Sequence, residues 1–236
     1  MPKPPEHTVF PLGDSALTID YGNIMDETIN RKVLAIFRSL QERPLQGVIE
    51  AVPAYSSITL YYDITSVVKH HPGGKTAFEI MAGKMEQRLL EPIAEDNSVP
   101  VLLKIPVCYE SEFGLDLEQL AAARNIRPED VIRIHTSKTY TVYMLGFLPG
   151  FSYMGNVDDE IALPRRTHPR PRVEAGSVGI AGHQTGIYPL ASPGGWQIIG
   201  RTPVKLFDSE KKELTLLKPG DRVQFYSINT DEFNSY

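Results

Sequence analysis

The sequence predicts an α+β protein: a small α/β sandwich-like domain over residues 1–95, then a domain of many short strands over residues 96–236. Three observations predict it. The first 90 residues alternate between two-residue and 3.6-residue apolar periods, the marks of strand and helix. Residues 146–203 hold 10 of the chain's 18 glycines and 7 of its 19 prolines. That density excludes helix, because proline lacks the N–H donor and glycine opens backbone conformations closed to other residues. Threaded through it are Phe147, Phe151, Tyr153, Val178, Ile180, Ile187, Tyr188, Trp196, Ile198 and Ile199, too much apolar surface for a disordered segment. The stretch therefore reads as packed strands joined by shaped turns, a barrel or a sandwich. The polar, proline-bounded residues 91–100 separate the two domains.

From the N-terminus, residues 15–21 place Leu17, Ile19 and Tyr21 on one face and Thr18 and Asp20 on the other, a half-buried strand. Asp26 can cap a helix in which Ile29, Val33, Ile36, Phe37 and Leu40 form one stripe, and Pro44 and Gly47 stop it. Two short strands follow, 48–52 and 58–62, joined by the turn-like PAYSS. A second helix over residues 75–90 turns Ala77, Ile80, Met81, Met85 and Leu89 inward, with Gly83 weakening it.

The second domain opens with an extended run at 101–107 and two short helices, 117–123 and 128–135. Pro128 suits a first-turn position, and Glu129 and Asp130 complement the helix dipole. Residues 139–145 are strand by their β-branched and aromatic content. After the glycine-rich block come strands at 204–207, 213–217 and 222–227, with KPGD at 218–221 as the hairpin between the last two.

Composition excludes several classes. A net charge of −5 and pI near 5.7 leave no global basic field for nucleic acid. The single cysteine, Cys108, excludes an internal disulfide and any multi-cysteine metal site; in the alternation LLKIPVCY it reads as a buried small hydrophobe. The first ten residues lack the apolar run of a signal peptide, and no stretch reaches the apolar length of a membrane span. A soluble, cytoplasmic protein is expected.

Within the glycine-rich block the charge reverses. From Ile161 to Leu206 the basic residues are Arg165, Arg166, Arg170, Arg172, Arg201 and Lys205, against Glu174 alone. Guanidinium forks suit carboxylates and phosphates, and glycine turns let N–H groups converge on an anion. A pocket for an anionic small molecule is the reading for the cluster, although any one arginine could simply face solvent.

Other motifs lose their first appeal. HPGGKT at 71–76 resembles a phosphate loop, but a Walker A motif needs glycine where Lys69 stands, so it reads as a loop ending at a helix N-terminus. AGSVG at 175–179 is one glycine short of a nucleophile elbow and lacks the helix that must follow; Ser177 reads as a turn residue. His168 and His183 have no metal-ligand spacing, and no metal is expected. Phe147 and Phe151 are expected in the core, whereas Trp196, beside Gly194 and Gly195, is placed to touch a ligand or partner.

GFLPGFSYMG at 146–155, the link from Pro164 to Arg172, AGSVGIAGHQTGIYP at 175–189 and SPGGWQIIGRTP at 192–203 resemble the PxpB/KipI family in residue type and order. That family is related to the first subunit of allophanate-hydrolase-type proteins and to the carboxyltransferase region of urea carboxylase. The resemblance implies a cyclophilin-like β-barrel in the second domain. It also implies one component of an ATP-dependent 5-oxoprolinase, which opens 5-oxo-L-proline (pyroglutamate) to L-glutamate with a PxpC/KipA-like and a PxpA (LamB/YcsF-like) subunit. ATP would be a co-substrate of the complex. A KipI-like inhibitor of a sensor histidine kinase and a component acting on urea or allophanate are the alternative roles. On the oxoprolinase reading, Arg165 and Arg170 hold anionic charge and Gln184 orients the lactam. Substrate contacts are expected from Arg201, Gly176, Gly182, His183, Gly194, Gly195, Trp196 and Tyr153, with glycine N–H groups as donors to oxygen.

Overall fold

The computed structural model describes residues 6–69, 71, 73–93 and 100–236. The chain divides into two compact units, Met1–Ser98 and Val99–Tyr236; the expected boundary at residues 95 and 96 lies outside the described residues.

In the first unit the strands are β1 (Thr8–Pro11), β2 (Ala16–Asp20), β3 (Val48–Pro53) and β4 (Ser57–Tyr62), and the helices are α1 (Glu27–Glu42), α2 (Ile64–Lys69) and α3 (Ala77–Leu90). The strands form an antiparallel sheet in the order β1-β2-β4-β3. Its core joins Leu17, Ile19, Ile58 and Leu60 of the sheet to Val33, Ile36 and Leu40 of α1 and Ile80, Met81 and Met85 of α3. Both long helices start where their caps direct. The Asp26 carboxylate accepts from the N–H groups of Thr28 and Ile29. Thr76 and Glu79 close a reciprocal capping box at the head of α3, so HPGGKT does end at a helix N-terminus.

The second unit contains β5 (Leu102–Cys108), α4 (Leu117–Arg124), α5 (Pro128–Ser137), β6 (Thr139–Leu145), β7 (Ser152–Gly155), β8 (Arg170–Val173), β9 (Ser177–Ala181), β10 (Gln184–Ile187), β11 (Ser192–Gly194), β12 (Gln197–Arg201), β13 (Arg222–Ile228) and α6 (Thr230–Asn234). Seven strands close a barrel in the order β10-β7-β6-β13-β5-β12-β9, and β8 and β11 form a separate two-stranded ribbon. This is the α+β fold with a barrel second domain that the sequence implies. Inward residues such as Ile105, Val107, Val142, Met154, Ile180, Ile199 and Phe225 fill the barrel, with Leu120, Val131 and Ile134 of α4 and α5 packed on them. Cys108 is fully buried.

Two expected strands do not form. Between β12 and β13 the structure has only an isolated bridge, Phe207 to Thr215. Leu206 and Leu217 are buried while Leu214 and Leu216, the alternating pair of 213–217, are exposed, and the segment bonds to itself, Asp208 N–H to Leu214 O and Leu216 N–H to Leu206 O. KPGD is a turn, with Lys218 N–H donating to the Asp221 carboxylate, and it leads into β13 rather than closing a hairpin.

Candidate functional site

Asp116 stands at the N-cap position of α4, where an aspartate ordinarily accepts from the first-turn N–H groups. Its side chain makes no such bond and is 1% exposed. One oxygen accepts from the Ile198 N–H at 2.7 Å and from Arg170 Nη1 at 2.7 Å. The other accepts from Arg170 Nη2 at 2.7 Å and from Arg166 Nη1. Arg170 thus meets the carboxylate fork to fork, the strongest geometry available to this pair. The Asp116 N–H donates in turn to Ile198 O. One buried carboxylate therefore ties the head of α4, strand β12 and the arginine-rich link together. A buried carboxylate needs such partners, since unpaired it would cost several kcal/mol. Two guanidiniums on one carboxylate leave an excess of one positive charge. Exposed Arg165 adds a second; its guanidinium lies 5.9 Å from the Trp196 ring centre.

Beneath these arginines lies an aromatic cluster. Phe151, 1% exposed, meets Trp196 and Tyr188 edge to face at 5.4 and 5.1 Å and Tyr153 at 4.8 Å. The glycines make room for it. A Cβ on Gly186 would stand 3.1 Å from the Trp196 ring, on Gly179 3.0 Å from Trp196 Cβ, and on Gly194 2.5 Å from the Tyr188 hydroxyl. Burial pushes the Tyr188 phenol above its ordinary value, and the Trp196 N–H donating to its oxygen offsets part of that rise.

The expected site residues separate into groups. Arg165, Arg170, Trp196, Tyr153, Gly194 and Gly195 gather around Phe151 and Asp116. Gly195 takes part through its carbonyl, which accepts from the Arg166 N–H at 2.7 Å. Gln184 opens β10, and His183 precedes it in the β9–β10 turn with Nδ1 3.4 Å from the Asp159 carboxylate, both of these side chains largely exposed. Arg201 has other partners: Nε donates to Ala175 O at 2.7 Å and the guanidinium lies 6.0 Å from the Phe233 ring. The glycine amides at the head of the block serve the fold. Gly176 N–H donates to Tyr188 O and Gly182 N–H to Leu163 O, both at 2.7 Å. Trp196 is 4% exposed and so lies behind Arg165 rather than at the surface, while Phe147, expected in the core, is 63% exposed. The glycines let Trp196 sink onto the sheet; nothing in the sequence around Phe147 accounts for its exposure.

Asp116 and Arg166 escape sequence reasoning. Arg166 belongs to the basic run but has nothing to set it apart, and an aspartate before LEQL looks like an ordinary cap. His135 on α5 is a third unforeseen group. Fully buried, it stacks on Phe225 at 4.6 Å. The Thr185 hydroxyl donates to Gly179 O, so it accepts from His135 Nε2–H at 3.0 Å, and Nδ1 accepts from the Tyr109 hydroxyl at 2.8 Å. Burial depresses its pKa to about 3, leaving a neutral imidazole locked into the barrel core. Among the described residues no three His, Cys, Asp or Glu side chains converge as a metal set, and no helix is long and apolar enough to cross a membrane.

Fold and site together define an α+β barrel protein that presents arginine side chains on an aromatic base. The chain belongs to the family of the carboxyltransferase domain, subdomain C and D, whose model matches residues 7–217. It is 48% identical over 227 residues to a 5-oxoprolinase subunit of Bacillus subtilis strain 168, covering 95% of this chain and 94% of that protein. It is 36% identical over 214 residues to the corresponding 5-oxoprolinase subunit of Escherichia coli O157:H7, covering 91% and 93%. Among solved structures it resembles that of TTHA0988, with a TM-score of 0.75 and 36% identity over 91% of this chain and 40% of that one. These likenesses bear out the PxpB/KipI resemblance carried by the motifs.

Proposed function

We propose that this chain is a subunit of an ATP-dependent 5-oxoprolinase, opening 5-oxo-L-proline to L-glutamate in a site completed by PxpC/KipA-like and PxpA-like subunits. The observation that carries the reading is the near-full-length likeness to relatives named as 5-oxoprolinase subunits. The site geometry is compatible with it. 5-Oxoproline carries one carboxylate on a small lactam ring, and the Arg165 guanidinium has an exposed position in which to take such a group. Arg166 and Arg170, fixed on Asp116, supply a positive field around it without themselves moving. Gln184, at the start of β10, is assigned to orienting the lactam.

ATP supplies the activation that an unreactive lactam needs. The backbone amides that the sequence offers for phosphate are engaged: those of Thr76 and Glu79 at the head of α3 by the capping box, and those of Gly176 and Gly182 by the fold. ATP is assigned to the complex as its co-substrate.

The test is ATP-dependent glutamate release from 5-oxoproline by the chain combined with both partner subunits, with this chain present and then omitted. Activity should vanish on omission. Arg165→Ala should raise KM for 5-oxoproline by about tenfold or more, the loss expected for one charge-assisted contact. Full activity without this chain would overturn the reading.

A further inference from the structure

Four consecutive residues, Gly195 to Ile198, hold the arginine-rich link, each through a different group. Gly195 O accepts from the Arg166 N–H at 2.7 Å. The Trp196 ring lies against the Arg165 guanidinium, 5.9 Å from ring centre to charge. Gln197 donates from Nε2 to Pro164 O at 2.8 Å. The Ile198 N–H donates to Asp116, whose carboxylate fixes Arg166 and Arg170. One residue earlier in the link, Leu163 O accepts from the Gly182 N–H at 2.7 Å. The chain is thus pinned at residues 163, 164 and 166, and Arg165 is carried between two of these pins.

Arg165 differs from its neighbours. Arg166 and Arg170 share Asp116, whereas Arg165 faces no carboxylate among the described residues. Its direction is set by its backbone and by the indole beside it, a weak contact at an exposed site. The pin at Arg166 is backbone on backbone, and Gln197 supplies the one that a side chain makes. Gln197 is buried, and its Oε1 has no hydrogen-bond partner among the described residues. An apolar side chain of similar volume would serve stability there equally well, because a buried acceptor without a donor is costly. The donor end of the amide is what the position uses.

We propose that Gln197 is a positioning residue: by holding Pro164 it aims the Arg165 guanidinium from the face of Trp196 at the substrate's carboxylate. The proposal rests on the oxoprolinase reading above for the substrate, and on the chain's own geometry for the aiming. Preorganisation of this kind reduces the freedom that Arg165 must lose on binding and leaves the chemical step untouched.

Two readouts test it. In the full chain Trp196 is the single tryptophan, and uncovering its ring to water moves its emission to longer wavelength. Arg165→Ala should produce that shift, Gln197→Met part or all of it, and the double variant no more than Arg165→Ala alone. In the complex assembled with both partner subunits, Gln197→Met should raise KM for 5-oxoproline about fivefold, the cost of immobilising one long side chain on binding. Its kcat should stay within twofold of wild type. In the Arg165→Ala background the same substitution should leave KM unchanged, as for two residues acting through one contact. Gln197→Leu goes through the same measurements, so that a packing defect in one variant does not decide the outcome. Melting temperatures should stay close to wild type, because Pro164 is exposed and its carbonyl can turn to water. Both variants melting far below wild type makes Gln197 a residue of the fold and overturns the proposal. Wild-type emission in both, or a KM effect that persists without Arg165, overturns the aiming. An emission shift with KM unchanged overturns the substrate role and upholds the aiming. A wild-type complex that releases no glutamate overturns the oxoprolinase reading, and the emission alone then decides whether Gln197 aims Arg165.

Discussion

Replacing Asp116 with alanine removes the one acceptor shared by Arg166, Arg170 and the Ile198 amide. The two guanidiniums are only 28% and 21% exposed, so water cannot fully take over from the lost carboxylate. Stripping one member from a buried ion pair costs about 3–5 kcal/mol. The Ile198 N–H, left without an acceptor, falls within the same loss rather than adding to it in full, because all four bonds meet on one group. About 4 kcal/mol is the expected destabilisation of the barrel unit, lowering its melting temperature by roughly 10 °C. Trp196 is the chain's single tryptophan and lies two residues from Ile198, so its emission during urea or thermal unfolding follows this unit alone. Asp116→Asn keeps an acceptor for Ile198 but loses the charge, and should fall between wild type and alanine. A loss below about 1 kcal/mol for alanine, the range of exposed ion pairs, would refute the claim that the carboxylate holds the arginine-rich link in place.

Gly194→Ala would set a methyl group 2.5 Å from the Tyr188 hydroxyl, and with Tyr188 buried the ribbon must shift. The expected loss is about 1–3 kcal/mol, again read from Trp196 emission in urea. His135 makes stability depend on pH. Its pKa is about 3 in the fold against 6.5 ordinarily, so between those values the unfolded chain binds the extra proton. The stabilisation is complete above pH 6.5 and declines as the pH falls toward 3, by about 2 kcal/mol at pH 5. Urea midpoints at pH 7 and pH 5 check this: the difference should shrink in His135→Gln.

Residues whose local chemistry and final environment agree are legible from the sequence. Asp26 caps α1, Pro128 begins α5, and the β-branched run 139–145 is β6, since each signal acts within a few residues of itself. Asp116 misleads for the complementary reason: its partners come from residues 166, 170 and 198, and no local pattern announces them. Trp196 misleads because the flanking Gly194 and Gly195 read as a sign of exposure. At Gly179 and Gly186 the missing Cβ instead creates the depth in which Trp196 and Phe151 are buried. The segments at 204–207 and 213–217 are apolar enough for strands, yet Leu214 and Leu216 stay exposed and only Leu206 and Leu217 of their leucines are buried. They fail to become strands because a strand also needs a neighbour along its length, and that neighbour is a long-range property of the chain.

The pairing of β5 with β13 is parallel over seven residues, from Leu102 with Arg222 to Cys108 with Ile228, while β5 meets its other neighbour, β12, at Cys108 and Arg201 alone. The first strand of the barrel is thus secured by the last. During synthesis β5 leaves the ribosome long before β13 exists, and its apolar residues Ile105 and Val107 must wait for a partner more than a hundred residues downstream, a connection slow to close. The antiparallel sheet of the first unit faces no such delay. A nascent or truncated chain ending before Arg222 would carry an open barrel with two unsatisfied edges, prone to pair with other chains.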